Sequence, residues 1–326
     1  MSSSATARAC SNIALVKYWG KRQAALNLPV NGSISMTLDG MHTTTTVTWD
    51  DALSHDAAEM NGAPVTGEAL DKLSAFMDRV RAVWGESPRA RIVTANNFPT
   101  AAGLASSASG FAALALASTA AAGLELGPRD LSILARQGSG SASRSIFGGF
   151  AEWKRGERED GTDSYAEPIL EQDAWDVRML VAVLAPGPKS VSSRSGMTRT
   201  VETSPMYPAW VETVGADLAA MREAIAARDL SRVGAIAEAS CLKMHATMHT
   251  TLPAILYWQS ATVALMHRVM ALRAEGLPCY FTIDAGPNVK VLCAPADAER
   301  LALELGAVSG VQEVLTCRPG PGACLL

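Results

Sequence analysis

The residues able to do chemistry fall in four short stretches and one isolated acid. Three loops mix glycine, hydroxyl and cationic side chains, at 97–110, 139–144 and 189–197. A fourth segment, Lys17-Tyr18-Trp19-Gly20-Lys21-Arg22, sets three cations and two aromatics around a glycine. Far along the chain, Asp284 precedes Ala285-Gly286-Pro287-Asn288. Several anion-holding loops and one carboxylate are the inventory for phosphoryl transfer. There, positioning and charge neutralisation do most of the work, and one acid orients or deprotonates the attacking hydroxyl.

The first loop, Asn97-Phe98-Pro99-Thr100-Ala101-Ala102-Gly103-Leu104-Ala105-Ser106-Ser107-Ala108-Ser109-Gly110, leads into an alanine-rich run ending at Ala122. Small side chains let a ligand approach the backbone, and a helix start offers free N–H groups and a positive dipole end. The stretch reads as a phosphate cradle to which Ser106, Ser107 and Ser109 add hydroxyls, or as a Ser/Ala cap on a buried helix. In Ser139-Gly140-Ser141-Ala142-Ser143-Arg144 the arginine offers a planar fork that matches phosphate or carboxylate. A strand-like Gly148-Gly149-Phe150-Ala151-Glu152-Trp153 follows at once, so this stretch is embedded in the fold and is not a linker. The 17–22 segment reads as an anion-holding strand end or as a solvated loop with Tyr18 and Trp19 tucked inwards. Asp284 reads as a site acid or as an Asx-turn residue. Neither a GxxxxGK[ST] motif nor a kinase glycine-loop set is present. Spacing alone therefore points to an ATP-using enzyme acting on a small, multiply anionic substrate.

The elements that must position these residues are legible as patterns. Strands are expected up to Ile13-Ala14-Leu15-Val16, over 28–38 and over His42–Trp49, with further ones at Ala90–Thr94, Met179–Leu184, Cys279–Ile283, Val289–Cys293 and Val314–Thr316. Apolar residues at three- and four-residue spacing predict helices through Leu70–Trp84, Leu131–Arg136, 207–227, 230–248 and 256–275. The continuous apolar run at Met179–Leu184 suggests a boundary, with domains 1–180 and 181–326.

Composition narrows the class. The chain has 326 residues, 48% of them hydrophobic, and a formal net charge of −4. That balance disfavours a general nucleic-acid binder. No apolar run reaches transmembrane length, and Met1-Ser2-Ser3-Ser4-Ala5 lacks a signal-peptide pattern. The six cysteines are scattered without CxxC spacing. The expectation is a cytoplasmic protein with reduced thiols and no membrane partner. His245 and His249 share a helix face without an intervening acid, so a helix surface or core position is expected there and no metal site.

The segment Pro99–Ala108 resembles the phosphate-binding motif of the GHMP kinase superfamily. Further segments resemble one branch of it, the diphosphomevalonate decarboxylase family. They are Asn12–Lys21, Gly138–Ser145, Lys189–Met197 and Asp284–Lys290, with Met244-His245-Ala246 and Pro319-Gly320-Pro321-Gly322-Ala323 also fitting. The resemblance implies an α+β, GHMP kinase-type two-lobed fold: a ribosomal S5 domain 2-like N-terminal lobe, a ferredoxin-like C-terminal lobe and an active site in the cleft between them. It implies ATP-dependent decarboxylation of 5-diphosphomevalonate to isopentenyl diphosphate, through phosphorylation of the tertiary 3-hydroxyl. In that scheme Asp284 orients and deprotonates the alcohol, Arg144 holds the substrate carboxylate, and Lys17 hydrogen-bonds Asp284 or the 3-oxygen. Tyr18, Trp19, Gly20, Lys21, Ser139, Gly140, Ser141, Ala142, Ser143, Ser192 and Arg194 hold the substrate. Pro99, Ala102, Gly103, Leu104, Ala105, Ser106, Ser107, Lys189 and Ser190 hold ATP, with Mg2+ carried by phosphates and water and without a protein cage. A homodimer is also implied. A family member using the monophosphate, a superfamily kinase that does not decarboxylate, and a silent ATP-binding regulator are the alternatives.

Overall fold

The computed structural model describes residues 3–98, 106–184 and 191–326. Fourteen strands and nine α-helices are found among these residues. The first half builds a mixed sheet from β1 (Ser3–Val16), β4 (Ser33–Asp50), β5 (Ala57–Met60), β6 (Ala63–Val65), β7 (Arg89–Asn96), β8 (Phe150–Trp153) and β9 (Ala166–Leu170). A small ribbon of β2 (Lys21–Gln23) and β3 (Leu28–Pro29) stands beside it. Helices α1 (Glu68–Trp84), α2 (Ser106–Ala121), α3 (Pro128–Gly138) and α4 (Ala142–Ser145) belong to this half. Of the stretch expected over 28–38, Leu28–Pro29 form β3, and the rest from Ser33 joins the strand expected over His42–Trp49 as one continuous β4. Between the pairs Cys10–His42 and Asn12–Thr37 the surplus residues bulge out of β4, with Gly40 at φ 87°, and β4 pairs with β1 on both sides of them.

The second half opens with β10 (Arg178–Leu184). It continues through α5 (Ser193–Thr203), α6 (Tyr207–Ala226), α7 (Leu230–His249), α8 (Ser260–Ala274), β11 (Cys279–Ile283), β12 (Val289–Cys293), α9 (Ala298–Gly306), β13 (Val311–Cys317) and β14 (Cys324–Leu325). Its sheet has the order β11-β12-β10-β13, all antiparallel. The apolar run of β10 is central and buried, as a continuous apolar strand requires. Strand β14 returns to pair with β1.

Two features position the site. Helix α2 lies on the first sheet through Ala108, Ala112, Ala113, Ala115 and Ala117, all buried, and small side chains permit that close approach. Helix α7 crosses from the second sheet to β1, where the Ser240 hydroxyl accepts a hydrogen bond from the Lys17 amide at 3.0 Å. The helix expected from 256 begins only at Ser260, after Pro253. There the Gln259 amide donates to Thr262 Oγ1 at 3.1 Å in a capping box. The loop expected over 189–197, of which 189 and 190 lie outside the described residues, contains a helix start: Ser192 caps α5, its hydroxyl accepting from the Ser195 amide at 3.1 Å.

Candidate active site

Asp284 sits just past β11, in the loop that returns as β12. That loop is pinned twice: the Leu184 amide donates to Asn288 Oδ1 at 2.9 Å, and Thr262 Oγ1 donates to the Pro287 carbonyl at 2.7 Å. Across the strand pair, Thr282 faces Lys290. Asp284 lies two residues beyond Thr282, so strand alternation turns it to the same side as Lys290. Lys17 arrives from the end of β1. Its Nζ donates to Asp284 Oδ1 at 2.6 Å and to the Ala14 carbonyl at 2.8 Å. Lys290 Nζ lies 3.3 Å from Asp284 Oδ2. The Lys17 and Lys290 side chains are 1% and 0% exposed, whereas that of Asp284 keeps 25% open. Burial works to raise the Asp284 carboxyl, but the two ammonium groups outweigh it and hold it well below the usual carboxylate range.

Arg144 enters from α4. Its Nε donates to Ser35 Oγ at 2.9 Å, its Nη2 to Asn12 Oδ1 at 3.1 Å, and its Nη1 to Ser33 Oγ. Asn12 is itself fixed by donating to the Ser141 carbonyl at 3.0 Å and to Ser145 Oγ at 2.8 Å. Every partner is neutral, and among the described residues Arg144 makes no salt bridge. Burial lowers its guanidinium to about 10, with Asp284 pulling the other way, so it stays charged at neutrality. Two buried lysines therefore pair with one carboxylate, and a third buried cation, Arg144, lies within reach of its charge. Such an excess is costly unless an anionic ligand completes it.

The other expected residues that the structure describes lie in the adjoining loops and helix starts. Ser139 Oγ donates to Ser107 Oγ at 3.4 Å and lies 3.3 Å from Ser141 Oγ, tying the start of α2 to the Arg144 loop. Ser107 is exposed, Ser106 half-buried, and the first turn of α2 carries no acid. Ala142 and Ser143 are buried inside α4, and Ser143 Oγ donates to the Gly140 carbonyl at 2.7 Å. Gly140 leaves no room for a side chain, since a Cβ there would stand 2.7 Å from the Trp153 ring. Tyr18 packs edge-on against Trp153 at 4.8 Å, and its buried hydroxyl has no hydrogen-bond partner among the described residues. Trp19 is in the core, 3% exposed. Gly20, at φ 104°, gives way to Tyr207, whose hydroxyl donates to the Trp19 carbonyl at 2.9 Å. Lys21 Nζ donates to Asn27 Oδ1 at 2.5 Å, and burial with the nearby Arg194 lowers its ammonium to about 8. Ser192 and Arg194 are exposed at the start of α5. Lys21, Arg22, Lys72, Arg79 and Arg194 line a cavity of about 610 Å3 in which Glu202 is the lone acid. Pro99, Ala102, Gly103, Leu104, Ala105, Lys189 and Ser190 lie outside the described residues. Ser109, expected to join the cradle, turns inwards instead and lies 2.7 Å from Thr43 Oγ1.

Two family models match in sequence order. Residues 9–166 match the diphosphomevalonate decarboxylase-like N-terminal domain, and residues 179–317 the mevalonate 5-diphosphate decarboxylase C-terminal domain. The diphosphomevalonate decarboxylase of Gibberella zeae is 39% identical over 88% of this chain and 80% of its own. This chain belongs to the diphosphomevalonate decarboxylase family. Among solved structures, the mevalonate diphosphate decarboxylase from Staphylococcus aureus is 42% identical with a TM-score of 0.95, covering 100% of this chain and 98% of that one. A chain described as MDDEF in complex with MVAPP, AMPPCP and magnesium is 44% identical with a TM-score of 0.94, covering 100% and 99%. The α+β, GHMP kinase-type fold is thus that of the family.

Two residues of this family site carry no role in the sequence reading. Lys290 looked like part of an apolar strand; the signal was a lysine inside Val289–Cys293, where an unpaired charge is costly. Asn12 looked like a strand residue, yet it orients Arg144. Among the described residues no group of three or more His, Cys, Asp or Glu could hold a metal. His245 is buried, which lowers its imidazole to about 3, and it is neutral at physiological pH.

Proposed function

We propose that this chain carries out the ATP-dependent decarboxylation of (R)-5-diphosphomevalonate to isopentenyl diphosphate, releasing ADP, phosphate and CO2. The observation that carries the reading is an ionised acid, Asp284, held by two buried lysines, within reach of the charge of a buried Arg144 that has only neutral partners. Arg144 holds the substrate carboxylate beside the reacting carbon. Asp284 Oδ2 and Oδ1 accept from lysines, so the exposed edge of the carboxylate orients the tertiary 3-hydroxyl. A carboxylate with so low a proton affinity is a weak base towards an alcohol. It suffices where the phosphoryl transition state is loose and the proton leaves late, once the oxygen has become acidic. Lys17 faces the charge that develops on the 3-oxygen. Tyr18, Lys21, Ser139, Ser141, Ser192 and Arg194 hold the diphosphate.

The helix start at Ser106 and Ser107, free of acids, suits the phosphates of ATP, and the 99–105 segment and Lys189–Ser190 belong to the same proposed cradle. Mg2+, when bound, neutralises phosphate charge; with no protein cage among the described residues, phosphate and hydroxyl oxygens fit as its ligands. A lobe boundary near residue 180, a homodimer and a cytoplasmic location belong to this reading. The start of the second sheet at Arg178 supports the first, and no described helix is long and apolar enough to cross a membrane.

The test is ADP and CO2 release from mevalonate, its 5-phosphate and its 5-diphosphate. One CO2 per ADP with the 5-diphosphate alone is expected. A stable phosphorylated product without CO2, or preference for the monophosphate, overturns the reading.

A further inference from the structure

We infer that Lys290 is a positioning residue for this reaction: it fixes the second oxygen of Asp284 and holds the acid ionised in the orientation that meets the substrate hydroxyl. The inference rests on the proposed decarboxylation and goes beyond it.

Lys290 cannot touch a substrate. Its side chain is 0% exposed, and it lies behind Asp284, whose side chain alone of the pair reaches the cleft. Its Nζ has two close oxygens, Asp284 Oδ2 at 3.3 Å and the Asn288 carbonyl at 3.3 Å. Lys17 engages only Oδ1. A carboxylate held at one oxygen rotates about its Cβ–Cγ bond, whereas one held at both oxygens from different strands has a single plane. Lys290 stands mid-strand in the apolar β12, between Val289 and Val291. Burial lowers its ammonium, and Asp284 works against that fall. A lysine buried so deeply beside Lys17 and Arg144 adds charge repulsion, so packing alone does not account for it.

The groups facing Asp284 separate cleanly by charge. Lys17 comes from the end of β1, Lys290 from β12 and Arg144 from α4, and all are cations. Cys241 and His245 come from α7. Burial pushes the thiol up to about 11 and the imidazole down to about 3, so neither changes charge in an ordinary assay range. Asp284 itself is held well below the usual carboxylate range, so its own ionisation gives the wild type no acid limb above about pH 4; a limb that appears there only when Lys290 is replaced reports Asp284. With Lys290 removed, burial is opposed by one adjacent ammonium and no longer by two, and the carboxyl rises.

The experiment is the pH profile of kcat and KM, with the 5-diphosphate substrate, for the wild type, Lys290→Met and Lys290→Arg. In Lys290→Met, kcat falls about 10- to 100-fold while KM stays within about threefold, because binding groups are untouched. An acid limb that the wild type lacks enters its kcat profile above about pH 4, and Lys290→Arg, which keeps the cation, does not show it. Lys290→Gln carries the same comparison if the methionine variant does not fold. A wild-type-like kcat, or a loss of kcat with the same pH profile as the wild type, overturns the inference and leaves only a structural role. An active wild type beside an indifferent Lys290 variant defeats this inference alone. An inactive wild type defeats the proposed function and this inference with it.

Discussion

Two cationic regions lie close together in this molecule and are built on opposite plans. Around Asp284, two lysines are almost fully enclosed, paired to one carboxylate and fixed by strand ends. In the neighbouring cavity, Lys21, Arg22, Lys72, Arg79 and Arg194 are half-buried or exposed. Several lean on groups that cost little to leave. Arg79 donates to Gln137 Oε1 at 2.9 Å and to the Ala25 carbonyl at 2.7 Å, and Lys72 pairs with the exposed Glu68 at 2.8 Å. The first region keeps its charges away from water, where they act strongly and do not reorganise. The second keeps them wet, where salt screens them and a polyphosphate can displace their present partners. Under the proposed function the contrast separates reacting from holding, and substitutions in the two regions should leave different kinetic signatures.

The largest effect belongs to the enclosed region. Asp284→Ala should lower kcat by about three orders of magnitude or more with little change in KM, as expected for a group that acts in the transition state. A loss mainly in KM would erase the contrast. Arg144→Ala comes next. Removing the buried charged partner proposed for the substrate carboxylate should cost roughly 2–5 kcal/mol in kcat/KM. Steady-state kinetics with CO2 detection reads both variants.

The wet region should answer in KM. Lys21→Ala should raise KM for the 5-diphosphate about 10- to 100-fold and leave kcat within about threefold. The Lys21 ammonium titrates at about 8, so kcat/KM should fall as pH rises through that value and the amine loses its charge. In Lys21→Arg the limb should move out of range, since a guanidinium stays charged. The smallest effect is ionic. Raising salt from about 0.05 to 0.5 M should increase KM several-fold and leave kcat nearly level. A kcat as salt-sensitive as KM would place the two regions under one description.

The same contrast explains what was legible in the chain. Asp284 stood out because an acid between a buried strand and a Gly-Pro turn is conspicuous. Arg144 and Lys21 stood out as cations among glycines and hydroxyls. Lys290 did not, because four apolar neighbours in β12 mark a strand, and only the cost of burying its charge betrays the role. Helix α5 escaped because Ser193–Thr203 buries only Gly196, Met197 and Thr200, too few for an apolar stripe. Its start was still marked by Ser192, a residue type that caps helices. Strand β4 was divided in the reading at 39–41, where its own extra residues around Gly40 interrupt the pattern; the pairing with β1 that makes it one strand on both sides is not visible locally.

Removing the charge of Asp284 while keeping its shape isolates the central claim. Asp284→Asn leaves three buried cations with no carboxylate among them. Calorimetric titration with 5-diphosphomevalonate should show binding as tight as in the wild type or tighter, in a protein that no longer turns over. Weakened binding together with retained turnover would mean that Asp284 holds the substrate and does not act on it.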